Sequence, residues 1–591
     1  MNFSPIKNEG WLYGLAFLIG LGFRIIQLGA SPLTDSEATL ALQALHLAQG
    51  KAPLLGPQPG YILLTSILFS IINSTNFMAR FIPAVVGSAL VFAPWFFRDK
   101  LKPRPALILA FLFAIDPGLV ALSRQANGTI LAVAFLLFAW AMWRHQRLIP
   151  AGIFAGLALL SGPSLWAGLL TLGLTRLFLQ GMQAKPTATE TEDGSPVSNL
   201  DRPITNYQLS FTELRPALIS LLVTILLGGS LFFLSPNGLS AWLSALPAYL
   251  RGWTSPSTMT PGRLLLAFAA YEALGIFLAV FSLIRGYRTR SRRIVRLSLW
   301  LGVALLLAIF YRQMSEFIWV ILPLLTLAAL ELSRAMNIYA EERVEVGVVV
   351  LALMILLVYI WFDVAKIAVD PYSQLGATTL PLFGRNIQIS SAPYIILLGA
   401  SLILILCISF VAFGWSTRTA WLGTVWVFVI FLGVYTLASA WGASRLRAQN
   451  GVEFWTPDQP PAQARLVQST VQDISEFSLG HVQAQPVTIM GVDSPALEWL
   501  LRDREVEKAS TLDSQAAPPI VITPLMDDLG LPSAYRGQDF TWRQTPLWQQ
   551  VRNPDWISWL VFRKLPKENE TIILWARDDL FPDARETTQQ P

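Results

Sequence analysis

Long apolar runs separated by short polar segments dominate the first three quarters of the chain. A helix that crosses a bilayer needs about 20 mostly apolar residues. By that measure the sequence predicts spans near 11–29, 78–97, 105–122, 129–144, 148–162, 164–180, 216–235, 263–284, 297–311, 316–334, 345–366, 392–412 and 419–441, about thirteen in all. The apolar stretch Gly60 to Ile72 is too short to span and is expected to lie along, or dip into, the outer face. Between the first two spans, Thr34-Asp35-Ser36-Glu37 matches the S/T-x-x-E capping box. Ala38, Ala41, Leu42, Leu45 and Ala48 then recur along one face, which predicts an amphipathic helix from Asp35 to Gln49 with Gly50 as its stop. From about Arg445 the pattern changes. Buried strands are predicted at 487–492 and 519–525, amphipathic helices at 494–503 and 553–564, and a closing strand at 571–577. The expected organisation is a polytopic α-helical membrane domain, 1–444, followed by a soluble α/β domain, 445–591.

Composition agrees with the membrane reading. Of 591 residues 53% are hydrophobic and 14% charged, against roughly 25% charged in an ordinary soluble domain. Twenty-one Trp and 34 Phe suit aromatic belts at the membrane interfaces. The first apolar stretch, Trp11 to Ala30, is followed by no small-x-small cleavage site and reads as an uncleaved span. A single cysteine, Cys407, excludes an intrachain disulfide and a cysteine metal site, and His46, His145 and His481 are scattered. No metal ligand set is expected. No Gly-rich phosphate fingerprint follows the predicted C-terminal strands, which argues against a nucleotide site, and no nucleic-acid partner is expected.

Charge sets the expected orientation. Arg98, Lys100, Lys102 and Arg104 cluster after the second span, and Arg285, Arg288, Arg290, Arg292, Arg293 and Arg296 after the eighth. The opposite loops, 30–77, 236–262 and 367–391, hold only Lys51, Arg251 and Arg385. The positive-inside rule then predicts a cytoplasmic N-terminus, a cytoplasmic disordered linker at 181–215, and an extracytoplasmic C-terminal domain on a multi-pass plasma-membrane protein.

Asp35 and Glu37 are the candidate chemistry. As a capping box the pair only starts a helix, and Glu37→Gln would then be mild. The order of segments adds a second reading. The chain resembles the GT-C glycosyltransferases of the protein O-mannosyltransferase and aminoarabinose-transferase type, whose first loop carries an acidic pair, Ala, and a helix ending in Gly. Here the match is Asp35-Ser36-Glu37-Ala38 through Gly50. It continues through 77–99, with Arg80, Pro83 and Ala84, and through 110–143, with Ser123-Arg124. The resemblance implies transfer of a sugar from a polyprenyl-phosphate donor to a protein, lipid or glycan acceptor at the outer face, within the cell envelope. It implies Asp35 as general base and Glu37 as the residue orienting the loop or acceptor. Arg124 and Arg312, at the outer ends of spans, would face the phosphate, with Asn127 beside Arg124. The helix at 239–256 would border the donor groove, with Trp242, Leu243, Leu246, Tyr249, Leu250 and Trp253 along its membrane side. Some relatives use a divalent cation.

The sequence departs from the family pattern in three places. Ser36 splits the acidic pair; the loop 123–129 lacks the family's further acid, leaving Asp116 as the alternative; and "LLGPQPGY" replaces a His-Pro pair. Asp116-Pro117-Gly118 also reads as a helix cap. A catalytically silent scaffold of the same architecture is the alternative reading, ahead of a lipid or glycan transporter. Against the transporter, no inverted-repeat texture is visible.

Overall fold

The computed structural model describes residues 9–183, 211–446 and 451–581, apart from positions 256, 258, 338, 340–341, 373–376, 383–384, 391, 457, 513–514 and 516. Most of the expected linker, 184–210, lies outside the described residues. The chain is a multi-pass helical membrane protein with a small C-terminal sheet domain. Helices occupy all thirteen places where the apolar pattern put spans. Among the described residues, six single helices are long and apolar enough to cross a membrane: 76–96, 292–311, 314–335, 343–369, 393–414 and 417–443. Three bent pairs bring the number up to nine when each is one crossing. One pair joins 148–160 to 164–181 at 119°, where the sequence suggested two separate spans.

The first helices carry the candidate site: α1 (Glu9–Ile25), α2 (Asp35–Ala48), α3 (Pro59–Ile71) and α4 (Asn76–Ala89). Helix α2 starts and stops as its sequence dictates. Thr34 caps it, Glu37 closes the box, and Gly50 beyond its end takes a left-handed φ of +74°. Helix α3 is the short apolar stretch. It packs against α4 and the helices at 148–160, 211–229 and 237–252, with Tyr61 and Ile62 fully enclosed.

Two bends fall at acidic residues. Helix Pro103–Ile115 meets Pro117–Ser123 at 55° around Asp116, and Pro261–Tyr271 meets Ala273–Arg288 at 91° around Glu272. Proline cannot donate the bond that would continue the first helix. The freed groups find partners: Leu119 N donates to Asp116 Oδ1 at 2.7 Å, and Arg24 donates to the carbonyls of Phe113 and Ala114 at 3.0 and 3.1 Å. A backbone break inside lipid is tolerated only when it is satisfied in this way.

A hairpin, β1 (Ala377–Leu382) against β2 (Arg385–Ser390), lies between two membrane helices. The C-terminal domain holds β3 (Val487–Met490), β4 (Val506–Ala509), β5 (Ile520–Pro524), β6 (Tyr535–Pro546) and β7 (Lys567–Arg577) in the order β4-β3-β5-β7-β6. Strand β3 is parallel to both neighbours, and β5, β7 and β6 are antiparallel. The sheet is mixed because β5 enters it from a crossover and β7 returns beside it from a hairpin-like excursion. Helix Ala464–Leu479 supplies Val467 and Val471 to the sheet's core.

The domain is not free of the membrane helices. Ala38, Ala41 and Ala44 of α2 pack into the same apolar cluster as Val487, Ile522 and Trp542 of the sheet domain. A second cluster joins Trp455 and Trp559 to the helices around Tyr271 and Ile321. Trp455 lies so close to Gly118 that a Cβ there would come within 2.7 Å of its ring, so only glycine fits. Beside it, Arg563 sits 4.6 Å over the Tyr271 ring and 4.5 Å over the Trp559 ring, and pairs with Glu453 at 3.7 Å.

Candidate active site at the seam of the two domains

The chain between α1 and α2 is held from behind by two arginines. A helix end leaves carbonyls without partners. Arg124 fills that role for α1, its Nη1 donating to the carbonyls of Phe23, Arg24 and Ile26 at 3.0, 3.0 and 2.9 Å and its Nη2 to Gln27 at 3.3 Å. Arg80, from α4, donates to the carbonyls of Leu28, Ser31 and Pro32 at 3.2, 2.9 and 3.0 Å. Its remaining bonds go to Glu37.

Glu37 is 4% exposed and accepts four hydrogen bonds. Oε1 takes Arg80 Nε at 2.8 Å and the Ala126 amide at 2.9 Å; Oε2 takes Arg80 Nη2 at 2.6 Å and the Thr34 amide at 3.0 Å. Burial alone would raise its pKa, but the Arg80 charge and these donors outweigh it and hold the carboxyl at about 2. A group so acidic and so fully bonded is a poor proton acceptor near neutral pH. Glu37 therefore does more than close the box. It joins α2, α4 and the loop before Thr129, and the mild effect expected of Glu37→Gln no longer follows.

Asp35 faces the other way. Its Oδ1 accepts from Ser494 Oγ at 2.6 Å and the Ala496 amide at 3.0 Å. Its Oδ2 accepts Arg543 Nε at 2.9 Å and Nη2 at 2.7 Å. All four contacts come from the C-terminal domain. Arg543 stands at an irregularity in the β6–β7 ladder and also holds the Asp493 carbonyl at 2.8 Å. The neighbouring Ser36 amide donates to Asp458 Oδ2 at 3.2 Å. The acidic end of α2 is thus a latch that ties the sheet domain to the helix bundle.

Behind the latch, Glu37, Arg80 and Arg124 share a cavity with Ser31, Gln125 and Arg445. Arg445 Nη1 donates to Ser31 Oγ at 3.2 Å, while its Nη2 is buried without a hydrogen-bond partner. Burial and the neighbouring arginines lower Arg124 to about 9, and burial with the Arg80 charge lowers Arg445 to about 10 despite Glu37 nearby. Three guanidinium groups against one carboxylate leave a positive centre. The cavity measures about 20 Å³, room for about one water molecule and no sugar.

The other candidates separate into two places. Asn127 adjoins the cluster, donating to Gln125 Oε1 at 2.9 Å and capping the next helix through the Thr129 amide at 3.0 Å. Asp116 is buried in its helix break, where its carboxylate caps the following helix through the Leu119 amide. Arg312 and Trp253 instead gather at Tyr311. Arg312 caps helix Arg292–Tyr311 in a left-handed conformation with its side chain exposed, and the Trp253 ring stands edge-on to Tyr311 at 5.5 Å. Trp242, half-buried, lies on the same helix as Tyr249, Asn237–Gly252. That helix does not present the expected single face. Tyr249 turns inward onto Tyr311, 5.0 Å away and stacked, whereas Leu243 and Leu250 are exposed.

Arg445, Gln125 and Arg543 were not singled out from the sequence, and Arg80 entered only as part of the resemblance, with no role at the site. Arg80 had a usable signal, because a lone arginine within an apolar span is expensive and marks a partner. Arg543 had none, since it lies in an ordinary polar strand. Among the described residues no three His, Cys, Asp or Glu side chains converge on a common point.

No family model matches the chain. No curated protein matches it either. Solved structures do. The crystal structure of ArnT from Cupriavidus metallidurans bound to undecaprenyl phosphate superposes with a TM-score of 0.51 at 12% identity, covering 97% of this chain and 99% of that one. The apo ArnT structure gives 0.49 at 13% identity over 87% and 93% of the two chains. Correspondence over nearly both whole chains, sheet domain included, establishes that this protein has the GT-C membrane fold of that aminoarabinose transferase.

Proposed function

We propose that the protein is a membrane glycosyltransferase that moves a sugar from a polyprenyl-phosphate donor to a hydroxyl-bearing protein, lipid or glycan acceptor, with Asp35 as general base. The observation that carries this reading is the placement of Asp35. It is a half-buried carboxylate at the head of the first loop helix, bonded only through the sheet domain, so lifting that domain uncovers it without disturbing Glu37. The shared fold supports the reading, and so does the undecaprenyl phosphate bound to ArnT. In the reaction the acceptor oxygen forms a bond to the anomeric carbon as its proton passes to Asp35, and the bond from that carbon to the lipid phosphate breaks. Arg445, with a free Nη2, and the positive field of Arg124 offset the charge developing on the phosphate.

The same reading places the N-terminus in the cytoplasm and the sheet domain outside. The basic loops Arg98–Arg104 and Arg285–Arg296 support it. A single cysteine introduced into either loop should react with an impermeant thiol reagent only after the cells are opened; labelling in intact cells overturns the orientation.

The chemical test is Asp35→Asn, which keeps the shape of the side chain but cannot take a proton. Transfer from a polyprenyl-phosphate sugar should fall roughly 10²-fold or more, because general-base groups contribute about that much. Mass spectrometry of envelope glycans and glycoproteins in a strain carrying the variant should show the loss. Undiminished transfer refutes the assignment, and loss on Asp116→Asn instead would move the base there. One observation favours the silent-scaffold reading: both oxygens of Asp35 and of Glu37 already have protein donors. That reading wins if no transfer is detected even when the latch is cut.

A further inference from the structure

A much larger cavity, about 540 Å³, opens on the other side of Ser31, between the Ala30–Pro32 loop and the sheet domain. It falls in the size range of small-molecule sites, about 300–1,000 Å³. Its charge is one-sided. Among the described residues Arg465 and Lys567 line it with no aspartate or glutamate, and Gln459, Gln463 and Gln544 complete its polar wall. Gln463 Oε1 accepts the Thr541 amide at 2.5 Å, and Gln459 Nε2 donates to the Glu453 carbonyl at 3.4 Å. Arg465 is anchored to the Ala30 carbonyl, which fixes one cation at the rim. Lys567 opens β7 opposite Pro546, at the last pair of the ladder. Its nearest acceptor is Gln544 Oε1 at 3.5 Å, and no carboxylate lies within ion-pair distance among the described residues. Gln544 is itself tied to Asn569 at 3.2 Å. Partial burial lowers the Lys567 pKa, the sign of a cation that lacks a counter-charge. Behind the floor, Ser31 accepts from Arg445, so the arginine cluster adds to the positive potential.

We propose that this seam cavity binds an anionic, hydroxyl-rich headgroup, a phosphate on a sugar or polyol, with Lys567 and Arg465 on the phosphate and the glutamine amides on the hydroxyls. The floor follows the end of α1 by only a few residues, so the cavity opens at the level of the membrane surface. Two sources share this chemistry: a phosphorylated glycan and the headgroup of a polyol phospholipid. The size excludes bare phosphate as a good fit, and the absence of acids on the wall disfavours cationic ligands. The inference goes beyond sugar transfer and does not require it, because occupancy is a matter of charge and shape in this seam.

Binding is measured on the purified full-length protein, so its outcome is independent of whether transfer is ever seen. Glucose 1-phosphate is the soluble probe, with glucose and inorganic phosphate as controls. Nanodiscs of phosphatidylglycerol or phosphatidylcholine test the lipid source. Glucose 1-phosphate should bind saturably and raise the melting temperature, glucose should not, and added salt should weaken the binding. Lys567→Gln should weaken it roughly tenfold or more, the usual worth of a hydrogen bond to a charged group, and Lys567→Arg should keep it. Gln459→Glu is the second variant; it adds a carboxylate without filling space and should also weaken binding. Saturable retention of phosphatidylglycerol that glucose 1-phosphate displaces identifies the lipid headgroup as the source. Binding of glucose 1-phosphate alone identifies a glycan. The proposal is overturned if neither probe binds, or if well-folded Lys567→Gln and Gln459→Glu proteins bind as the wild type does.

Discussion

Replacing Glu37 by glutamine tests whether the buried carboxylate is scaffold or reagent. The new amide would keep one acceptor oxygen but present an NH2 group to donors that now converge on Oε1 or Oε2, from Arg80, Thr34 and Ala126. Arg80 would remain buried and charged with only carbonyls around it. The carboxyl lies at about 2 against an ordinary 4.5. At 1.36 kcal/mol per pKa unit that difference is worth on the order of 3 kcal/mol. Breaking one side of a buried pair usually costs about 3–5 kcal/mol, which agrees. Thermal unfolding in detergent at neutral pH should therefore show a large loss for Glu37→Gln and for Arg80→Met. The double variant should lose less than the sum, because no unpaired charge is left. The pH dependence has a fixed sign. A carboxyl depressed by folding stabilises the fold above about pH 4.5, and the contribution disappears as pH falls toward 2. Between those values the wild type should lose its advantage over Glu37→Gln. A Glu37→Gln protein that melts with the wild type, or losses that add fully in the double variant, would refute the scaffold role.

Cutting the latch tests the coupling between domain closure and Asp35. Arg543→Ala removes two of the four donors on Asp35, and it should increase protease access to the sheet domain; if transfer is limited by opening it should also raise the rate, whereas unchanged access means that the latch does not hold the seam. Arg563→Met should be far more damaging, by about 3–5 kcal/mol, because Glu453 would be left buried against the Tyr271 hydroxyl, and limited proteolysis should then release the C-terminal domain from the helices. Survival of an intact, docked Arg563→Met protein would show that the apolar contacts of Trp455 and Trp559 suffice.

What the sequence made legible was local. Thr34, Glu37 and Gly50 announce the start and stop of α2 over a single short stretch, and the cap forms as written. Asp116-Pro117 announces a helix break in the same way, since a missing N–H and a capping carboxylate are adjacent. Apolar runs marked the helices but not the crossings. Length and hydropathy do not reveal that the chain folds back at 119° after Leu160, where Gly162 takes a φ of +111° and Pro163 follows it. The helix at 237–252 misled for a related reason. Its aromatic residues recur at helical spacing, yet Tyr249 is claimed by Tyr311 from a helix some sixty residues away. The partners of Asp35 were least visible, because Ser494 and Arg543 lie more than 450 residues further along the chain.

That distance explains how two carboxylates in one short motif acquire different roles. Successive helical residues turn by about 100°, so Asp35 and Glu37 project about 200° apart. One of them must face the helix bundle if the other faces the sheet domain. Glu37 takes the inward direction, where Arg80 and two backbone amides belong to the helix bundle itself. Asp35 takes the outward direction, where every side-chain partner belongs to the C-terminal domain. Ser36, the residue that splits the pair, sets this division. In an adjacent pair the two side chains would be only about 100° apart, close enough for one environment to govern both. If Asp35 is to meet an acceptor as proposed, its contacts with Ser494, Ala496 and Arg543 must therefore open, whereas those of Glu37 can stay as they are.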